Sequence, residues 1–322
     1  MELSQKASRA PSVFCVQEAK GHQEQVTIRN NKPLLPLAVM GIVVVVWGLG
    51  PPTSKLVSAP PLIGTFIRFG ISSPFLLLVL AVRGRWLSKK VFYATALPGL
   101  SFGVNLIFVF ATLQEATVSV LSTIVAMQPA LLLVLAGPIF REYPTLRQLS
   151  FTLFGMFGAV GVILGAGSDL RTSWLGLLFA ALSLVTFTLY FVLTRIARSG
   201  DEVDPIEWMA GINVWAFAST ILPILFMADR SDWLAFGGYD WLWISIVAFV
   251  TGVFGHVLMT WLHGHLEAAR SSLYILTMHL VAVGLAWPIH DEPVTLLQVL
   301  AGVVVLISVA AVVNSPDRHV AR

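Results

Sequence analysis

A small number of polar side chains fall inside long apolar stretches of this sequence, and they could bind or transfer charged groups. Arg68 is a permanent cation, and a guanidinium can bind a carboxylate or phosphate through two parallel hydrogen bonds. His256 and His279 have imidazoles that titrate near physiological pH and could transfer a proton. Asn105 and Gln128 can each donate and accept hydrogen bonds. Because polar groups are costly in lipid, such side chains normally face a bundle interior, where we predict that they contact a substrate.

Four aromatic residues lie deep enough in apolar stretches to join these polar groups. Trp47, Phe187, Tyr190 and Tyr274 could form the wall of a pocket for a small metabolite. Packing within the protein core explains them equally well. The complete set of predicted substrate-binding residues is Trp47, Arg68, Asn105, Gln128, Phe187, Tyr190, His256, Tyr274 and His279.

Composition defines the environment of these side chains. Charged residues are 11% of the chain and hydrophobic residues 57%, whereas soluble domains have about 25% charged residues. A water-soluble fold of this length would lack the polar residues to cover its surface. The sequence therefore predicts a membrane protein. Its single cysteine, Cys15, excludes an internal disulfide.

The apolar residues occur in runs of about 20, the length of a helix that crosses a bilayer. An all-α polytopic fold with ten transmembrane helices follows from these runs. They cover Leu34–Thr53, Pro61–Val82, Val91–Ala111, Thr117–Ile139, Leu146–Ala166, Trp174–Thr194, Pro205–Ala228, Trp241–Leu262, Ser271–Ile289 and Val294–Val313.

The basic residues orient these helices. Most of the 20 Lys and Arg residues fall in segments that share one side of the membrane if the N-terminus is cytoplasmic. Only Lys55, Arg171 and Arg230 fall in loops on the other side. Because cytoplasmic loops are enriched in Lys and Arg, we predict that both termini are cytoplasmic and that the protein lies in the cell (inner or plasma) membrane.

An eleven-residue stretch occurs twice, at 138–148 and 288–298, with Pro, Ile, Glu, Thr and Gln in register. In each copy one apolar run ends at the Pro and another begins near the Gln, which predicts a helix–turn–helix corner. The chain is therefore two related halves. Since each half has an odd number of spans, the second half enters the membrane inverted, and inverted repeats are typical of secondary transporters.

Short motifs are distributed along both halves of the chain. They are Trp47-Gly48 with Lys55, Arg68-Phe69, Ala116 to Pro129 with Glu142-x-x-Thr145-x-x-Gln148, and in the second half Glu267-Ala268-Ala269, Ser271-Ser272 and Glu292-x-x-Thr295-x-x-Gln298. In these motifs the sequence resembles the EamA-like family of the drug/metabolite transporter superfamily, nearly throughout Leu34–Val313. The resemblance implies a bundle of five plus five helices around a central substrate cavity, lined mainly by the first, third and fourth helices of each half.

One position departs from the usual family pattern, and another has two possible roles. Pro129 has His279 as its counterpart, where the family usually has a second proline; we expect the fourth span to bend more than the ninth. Arg68 is either an anion clamp or a side chain that snorkels or pairs with a backbone carbonyl. We favour the second interpretation, because Arg-Phe is shared by family members with different cargo.

A metal site is a further interpretation. His256 and His263 are seven residues apart on a helix, a spacing that aligns them on one face, and His265 and Glu267 follow closely. However, a His-Gly-His segment at the membrane interface needs no ligand, so we predict neither a metal nor a cofactor. The sequence has no P-loop, GxSxG or HExxH motif, and we therefore predict no catalytic residue and no enzyme.

These observations predict four segments and one main function. The segments are a disordered basic cytoplasmic tail at 1–32, a first EamA-like repeat at 33–168, a second at 172–313 and a cytoplasmic C-terminal tail at 314–322. We expect a secondary transporter that exports a small metabolite, such as an amino acid or related amphiphile, by alternating access. The alternatives are import or exchange of an anionic metabolite, and a His-dependent membrane enzyme or metal-binding protein.

The expected partners are a small-molecule substrate and the lipid bilayer, without nucleic acid. The oligomeric state stays open, and a monomer is compatible with the predicted architecture.

Overall fold

The structure is a computed structural model that describes residues 34–128, 131, 135, 145–165, 172–197, 203–262 and 268–313. All regular secondary structure in these residues is helical, as predicted. The helices are α1 (Leu34–Gly48), α2 (Gly50–Lys55), α3 (Pro61–Val82), α4 (Lys89–Ala94), α5 (Ala96–Glu115), α6 (Val118–Val125), α7 (Leu146–Gly165), α8 (Trp174–Ala197), α9 (Pro205–Met227), α10 (Arg230–Ala235), α11 (Asp240–Ser245), α12 (Gly255–Leu262), α13 (Ala268–His290) and α14 (Leu296–Val313), with a π-helical segment at Ile246–Phe254 between α11 and α12.

Six helical stretches in the described residues are long and apolar enough to cross a membrane. They coincide with the first, second, third, sixth, seventh and eighth predicted spans. Shorter apolar stretches, Leu149–Gly158 and Leu296–Ser308, lie within the predicted fifth and tenth spans. The six stretches are Leu35–Lys55, Pro61–Val82, Ala96–Glu115, Trp174–Thr194, Pro205–Met227 and Asp240–Leu262.

Two of these spans differ in detail from the prediction. The third run is interrupted at Thr95, between α4 and α5. Pro98 then falls in the first turn of α5, where its missing N–H would have had no helical partner anyway. The eighth run changes to π-helical geometry over Ile246–Phe254, which apolar periodicity alone does not indicate.

The fourth and ninth runs also differ from each other. The α6 helix ends at Val125, and a turn follows in which Met127 N donates to Ile124 O at 3.1 Å. In contrast, α13 continues without interruption past His279. This difference agrees with the bend expected in the fourth span, although Pro129 itself lies outside the described residues.

Glycines allow two pairs of helices to approach closely. On α7, a Cβ at Gly158 would lie 2.9 Å from Val305 Cγ2, and one at Gly155 would lie 3.0 Å from Ser308 Cβ, both on α14. On α5, a Cβ at Gly99 would lie 2.6 Å from Trp215 Cβ of α9. Small residues support such contacts in lipid, where close packing replaces the hydrophobic drive. Gly155 and Gly158 thus belong to the face of α7 that packs against α14.

Hydrogen bonds connect loops at the two ends of the bundle. At one end they join loops that follow the first, third, fifth, seventh and ninth runs. At the other end they join the loops after the second and sixth runs. Successive runs therefore alternate in direction. The bonds at the first end are Lys55–Ala116, Lys55–Glu292, Ser58–Asp240 and Glu115–Ser173, and those at the second end are Arg85–Asp204 and Ser88–Glu207.

The second copy of the repeated stretch forms the predicted helix–turn–helix corner. After α13 ends at His290, Asp291 adopts a positive φ of 50°, which Asp tolerates better than most residues. Gln298 N donates to Thr295 Oγ1 at 3.2 Å, and Thr295 N donates to Gln298 Oε1 at 2.9 Å. The Thr-x-x-Gln motif is therefore a capping box for α14. Glu142, in the first copy, lies outside the described residues.

We predict that Thr295→Ala destabilises the protein by about 1 kcal/mol, because the N-terminus of α14 loses its side-chain cap. Thermal unfolding in a fixed detergent measures this change, and hydrogen exchange over residues 295–300 should become faster. The matched control is Thr295→Ser, which keeps the hydroxyl and should resemble wild type. Equal stability of Thr295→Ala and wild type would contradict the role of the cap.

Candidate functional site

A cavity of about 150 Å³ lies among the helices of both halves. Most of its wall is apolar, with a few hydroxyl, amide, imidazole and guanidinium groups. The lining residues are Trp47, Gly50, Pro51, Ser54, Arg68, Phe102, Asn105, Leu106, Val109, Leu121, Ser122, Val125, Ser183, Phe187, Val247, Thr251, His256, Met278 and His279.

The lining follows the arrangement that the family resemblance implies. Its residues come from the first, third, fourth, sixth, eighth and ninth apolar runs, which are the first, third and fourth runs of each half. Arg68, on α3, is the exception among the described residues, because it comes from the second run. The cavity thus receives its guanidinium from outside the expected set of helices.

Six of the nine predicted substrate-binding residues line this cavity. The structure brings together Trp47, Arg68, Asn105, Phe187, His256 and His279 although they are far apart in sequence. Their contact with a substrate remains a prediction.

Two of the other three predicted residues lie outside the described lining. Tyr190 is buried, and its ring packs against those of Phe102 and Phe187, with centroids 4.8 and 6.2 Å away. It lies one helical turn beyond Phe187, further along α8 than the residues that line the cavity. Gln128 is half-buried and follows the turn at which α6 ends. The side chain of Tyr274 lies outside the described residues.

Asn105 fixes the contact between α5 and α8. Its Nδ2 donates to Ser183 O at 2.8 Å and lies 3.1 Å from Ser183 Oγ. The residue therefore makes a hydrogen bond between two helices, and it also lines the cavity. These two roles are compatible, since the same bond holds Ser183 in the lining.

His256 and Trp47 form an aromatic pair in the wall. Their ring centroids are 4.9 Å apart, and His256 Nδ1 lies 2.8 Å from Gly252 O. Because a carbonyl can only accept, Nδ1 donates this bond. A Cβ at residue 255 would lie 2.5 Å from Trp47 Nε1, so glycine is needed there for the indole to fit.

Arg68 corrects the sequence-based expectation. We expected it to snorkel or to pair with a backbone carbonyl, but the residue is only 5% exposed and lines the cavity. Its Cζ lies 5.2 Å from the ring centroid of Phe69 and 5.9 Å from that of Phe102. Its Nη1 is buried and has no hydrogen-bond partner among the described residues. Stacking on two rings replaces the expected backbone contact.

Several small hydroxyl residues of the lining were not predicted. Ser54, Ser122, Ser183 and Thr251 all belong to it. Ser and Thr in apolar helices commonly bond to their own backbone, as Thr251 Oγ1 does to Val247 O at 2.9 Å. Since such residues occur on every face of a membrane helix, their presence in a sequence does not distinguish cavity positions.

A partly buried ion pair lies at one end of the cavity-lining helices, with the Glu292 side chain 4% and the Lys55 side chain 20% exposed. Lys55 Nζ lies 2.6 Å from Glu292 Oε1, and Glu292 Oε2 accepts from Val118 N at 2.9 Å. Ser54 and Ser122, which line the cavity, lie next to Lys55 and one turn after Val118 respectively. The carboxylate therefore neutralises a lysine from the first half and caps α6.

The described residues contain no group of three or more His, Cys, Asp or Glu that could hold a metal ion. His263, His265 and Glu267, which suggested such a site, lie outside those residues.

Comparison with known protein families identifies the family to which the chain belongs. The profile of the EamA-like transporter family matches residues 35–164 and again 174–314. The chain belongs to the EamA-like transporter family. This EamA-like protein is thus a multi-pass membrane protein, and its family consists of membrane transporters of the drug/metabolite transporter type. The two matches correspond to its two halves.

A protein of known crystal structure has a similar fold to this EamA-like transporter. The two chains are 17% identical with a TM-score of 0.60, and the alignment covers 87% of this chain and 96% of the other. At this identity the likeness concerns the fold alone. No curated protein matches the sequence.

We predict that Lys55→Met destabilises the protein by about 3 kcal/mol, because it leaves the Glu292 carboxylate buried without its counter-ion. Adding Glu292→Gln should restore part of that loss, since the amide is neutral and can still accept from Val118 N. Thermal unfolding of the two single variants, the double variant and wild type forms a double-mutant cycle. Strictly additive effects would contradict a direct interaction between the two side chains.

Proposed function

We propose that this EamA-like transporter is a secondary transporter that exports a small metabolite, an amino acid or a related amphiphile, by alternating access. The observation that supports this proposal is the cavity built from corresponding runs of both halves. In an inverted repeat, the halves can exchange conformations and so expose one site to each side in turn.

The size and polarity of the cavity suggest the kind of cargo. Its volume is about 150 Å³, and an apolar cavity of roughly that volume can hold benzene. An apolar wall with a few polar groups suits a ligand that has both apolar and polar parts. A metabolite with one ring or a short aliphatic chain meets both conditions.

The Lys55–Glu292 pair supports the proposed mechanism of alternating access. It joins the first half to the second at one end of the lining helices, with Nζ and Oε1 2.6 Å apart. Opening the cavity at this end would separate the two side chains and expose both to water, which lowers the cost of leaving them unpaired. The ion pair would therefore stabilise the conformation in which this end of the cavity is closed.

The described lining contains no Asp or Glu. Proton-coupled transporters commonly use an intramembrane carboxylate, so among the described lining residues His256 and His279 are the groups suited to carry a proton. Uncoupled export down the gradient of the cargo requires neither residue to titrate. We propose ten transmembrane helices, cytoplasmic termini and a cell-membrane location for the same protein, on the basis of the alternating runs and the basic loops.

The test of this function is counterflow in proteoliposomes that contain the purified protein. Vesicles are loaded with an unlabelled amino acid or metabolite, and entry of the labelled compound is followed with and without a pH gradient. Accelerated entry that ignores the gradient indicates an uncoupled carrier. Accumulation driven by the gradient indicates coupling to protons. The absence of exchange across amino acids and small organic acids would overturn the proposal.

We predict that His279→Ala lowers the counterflow rate about tenfold or more, because a group in the cavity wall is lost while its helix is kept. His256→Ala should also lower the counterflow rate, and the Trp47 ring should become more mobile because it loses its contact with the imidazole. Lys89→Ala, an exposed residue outside the cavity, is the control and should leave the rate unchanged. Wild-type rates in both histidine variants at normal expression would show that this cavity is not the transport site.

A further inference from the structure

Arg68 brings a positive charge to the cavity that no described residue neutralises. It is 5% exposed, and no hydrogen bond or ion pair among the described residues involves its guanidinium. The rings of Phe69 and Phe102 lie beside it at 5.2 and 5.9 Å. Such stacking offsets only part of the cost of a buried charge. An intramembrane charge in this state marks a ligand pathway.

Two further polar atoms around the same cavity have no partner. Trp47 Nε1 and Ser122 Oγ are both buried without a hydrogen bond among the described residues. An indole N–H can only donate, a guanidinium can only donate, and a hydroxyl can do either. Of the three buried atoms without a partner, Arg68 Nη1, Trp47 Nε1 and Ser122 Oγ, two can only donate, so an acceptor in the cavity would satisfy them.

We infer that the charged end of the cargo is a single carboxylate, bound by Arg68 with help from Trp47 and Ser122. This assignment rests on the proposed transport function and specifies its substrate class as small organic monocarboxylates. A carboxylate matches a guanidinium through two parallel hydrogen bonds. A cationic ligand would meet Arg68 without a carboxylate in the described lining to balance it.

The single positive charge of Arg68 and the volume of the cavity restrict the class of organic acids that could bind. One guanidinium neutralises one negative charge, so a dianion would keep an unpaired charge against apolar walls. Leu106, Val109, Leu121 and Val125 provide such walls. The remaining space, in a cavity of about 150 Å³, suits one ring or a short aliphatic chain.

The test is equilibrium binding to the full-length protein in lipid nanodiscs near neutral pH. The probes are benzoate, neutral benzamide and cationic benzylamine, which share one ring and differ in the charge of their polar end. Calorimetry gives the affinities, and thermal unfolding gives an independent ranking. Benzoate should bind about tenfold or more tightly than benzamide, because hydrogen bonds to a charged group are stronger. Benzylamine should not bind.

Variants of Arg68 and Trp47 test whether the preference for benzoate over benzamide depends on these side chains. In Arg68→Gln the preference for benzoate over benzamide should disappear, whereas Arg68→Lys should keep a weaker preference because a single ammonium cannot pair in the bidentate manner. Trp47→Phe keeps the ring, loses the donor and should weaken benzoate binding severalfold. Arg230→Gln removes an exposed arginine and should bind benzoate like wild type.

A second readout separates a ligand site from a structural role. The ligand-free Arg68→Gln variant should unfold at a higher temperature than wild type, since it no longer buries an unpaired cation. A structural arginine would show the opposite change.

The following outcomes would overturn the inference. Benzamide or benzylamine could bind as tightly as benzoate, or benzoate could bind Arg68→Gln unchanged. Chloride could produce the same thermal shift as benzoate, which would identify a site for inorganic anions. If Arg68→Gln does not fold, the three probes on wild type still decide. Because binding needs no transport, benzoate binding without counterflow would refute the proposed transport function and leave the anion site intact.

Discussion

The contact between Lys55 and Glu292 is the interaction on which the rest of the arrangement depends. It connects the corner of the second half to the end of α2 and to the start of α6, at 2.6 Å from the lysine and 2.9 Å from Val118 N. His290 Nε2 adds a bond of 2.8 Å to Pro52 O. Buried charges tolerate little displacement, because each partner alone would be costly. The corner therefore fixes the position of two helices that line the cavity.

The cavity is lined by two kinds of polar group, those that make hydrogen bonds between helices and those that have no hydrogen-bond partner among the described residues. The amide nitrogen of Asn105 holds α5 to α8, whereas Arg68, Trp47 and Ser122 have buried polar atoms without partners in the part of the chain that the structure describes. The first kind of group gives the site its shape, and the second kind is available for a ligand. Burying polar atoms without partners lowers stability, and proteins keep such atoms where ligand binding offsets that loss. In this protein the three atoms lie around one cavity.

The large features of this protein were predictable because they depend on local composition and on self-similarity. Apolar runs of bilayer length, alternating basic loops and the repeated Thr-x-x-Gln corner are properties of short segments. Six of the nine predicted residues line the cavity, and they were selected for a similar reason, since a polar or aromatic group within an apolar run is conspicuous. Tyr190 lies outside the described lining, one turn beyond Phe187, because a sequence does not indicate how far along a helix a cavity extends.

The sequence by itself determined the membrane environment, the duplication and the family, because each follows from residue type and spacing along the chain. Only the tertiary structure decided the state of Arg68. An arginine about two turns into a membrane helix has a side chain long enough to reach towards the interface, a backbone carbonyl or a cavity, and the packing of α3 beside Phe102 and Gly252 selects the cavity. The role of Glu292 was decided in the same way. Its partners, Lys55 and Val118, are distant in sequence and meet only when the two halves pack.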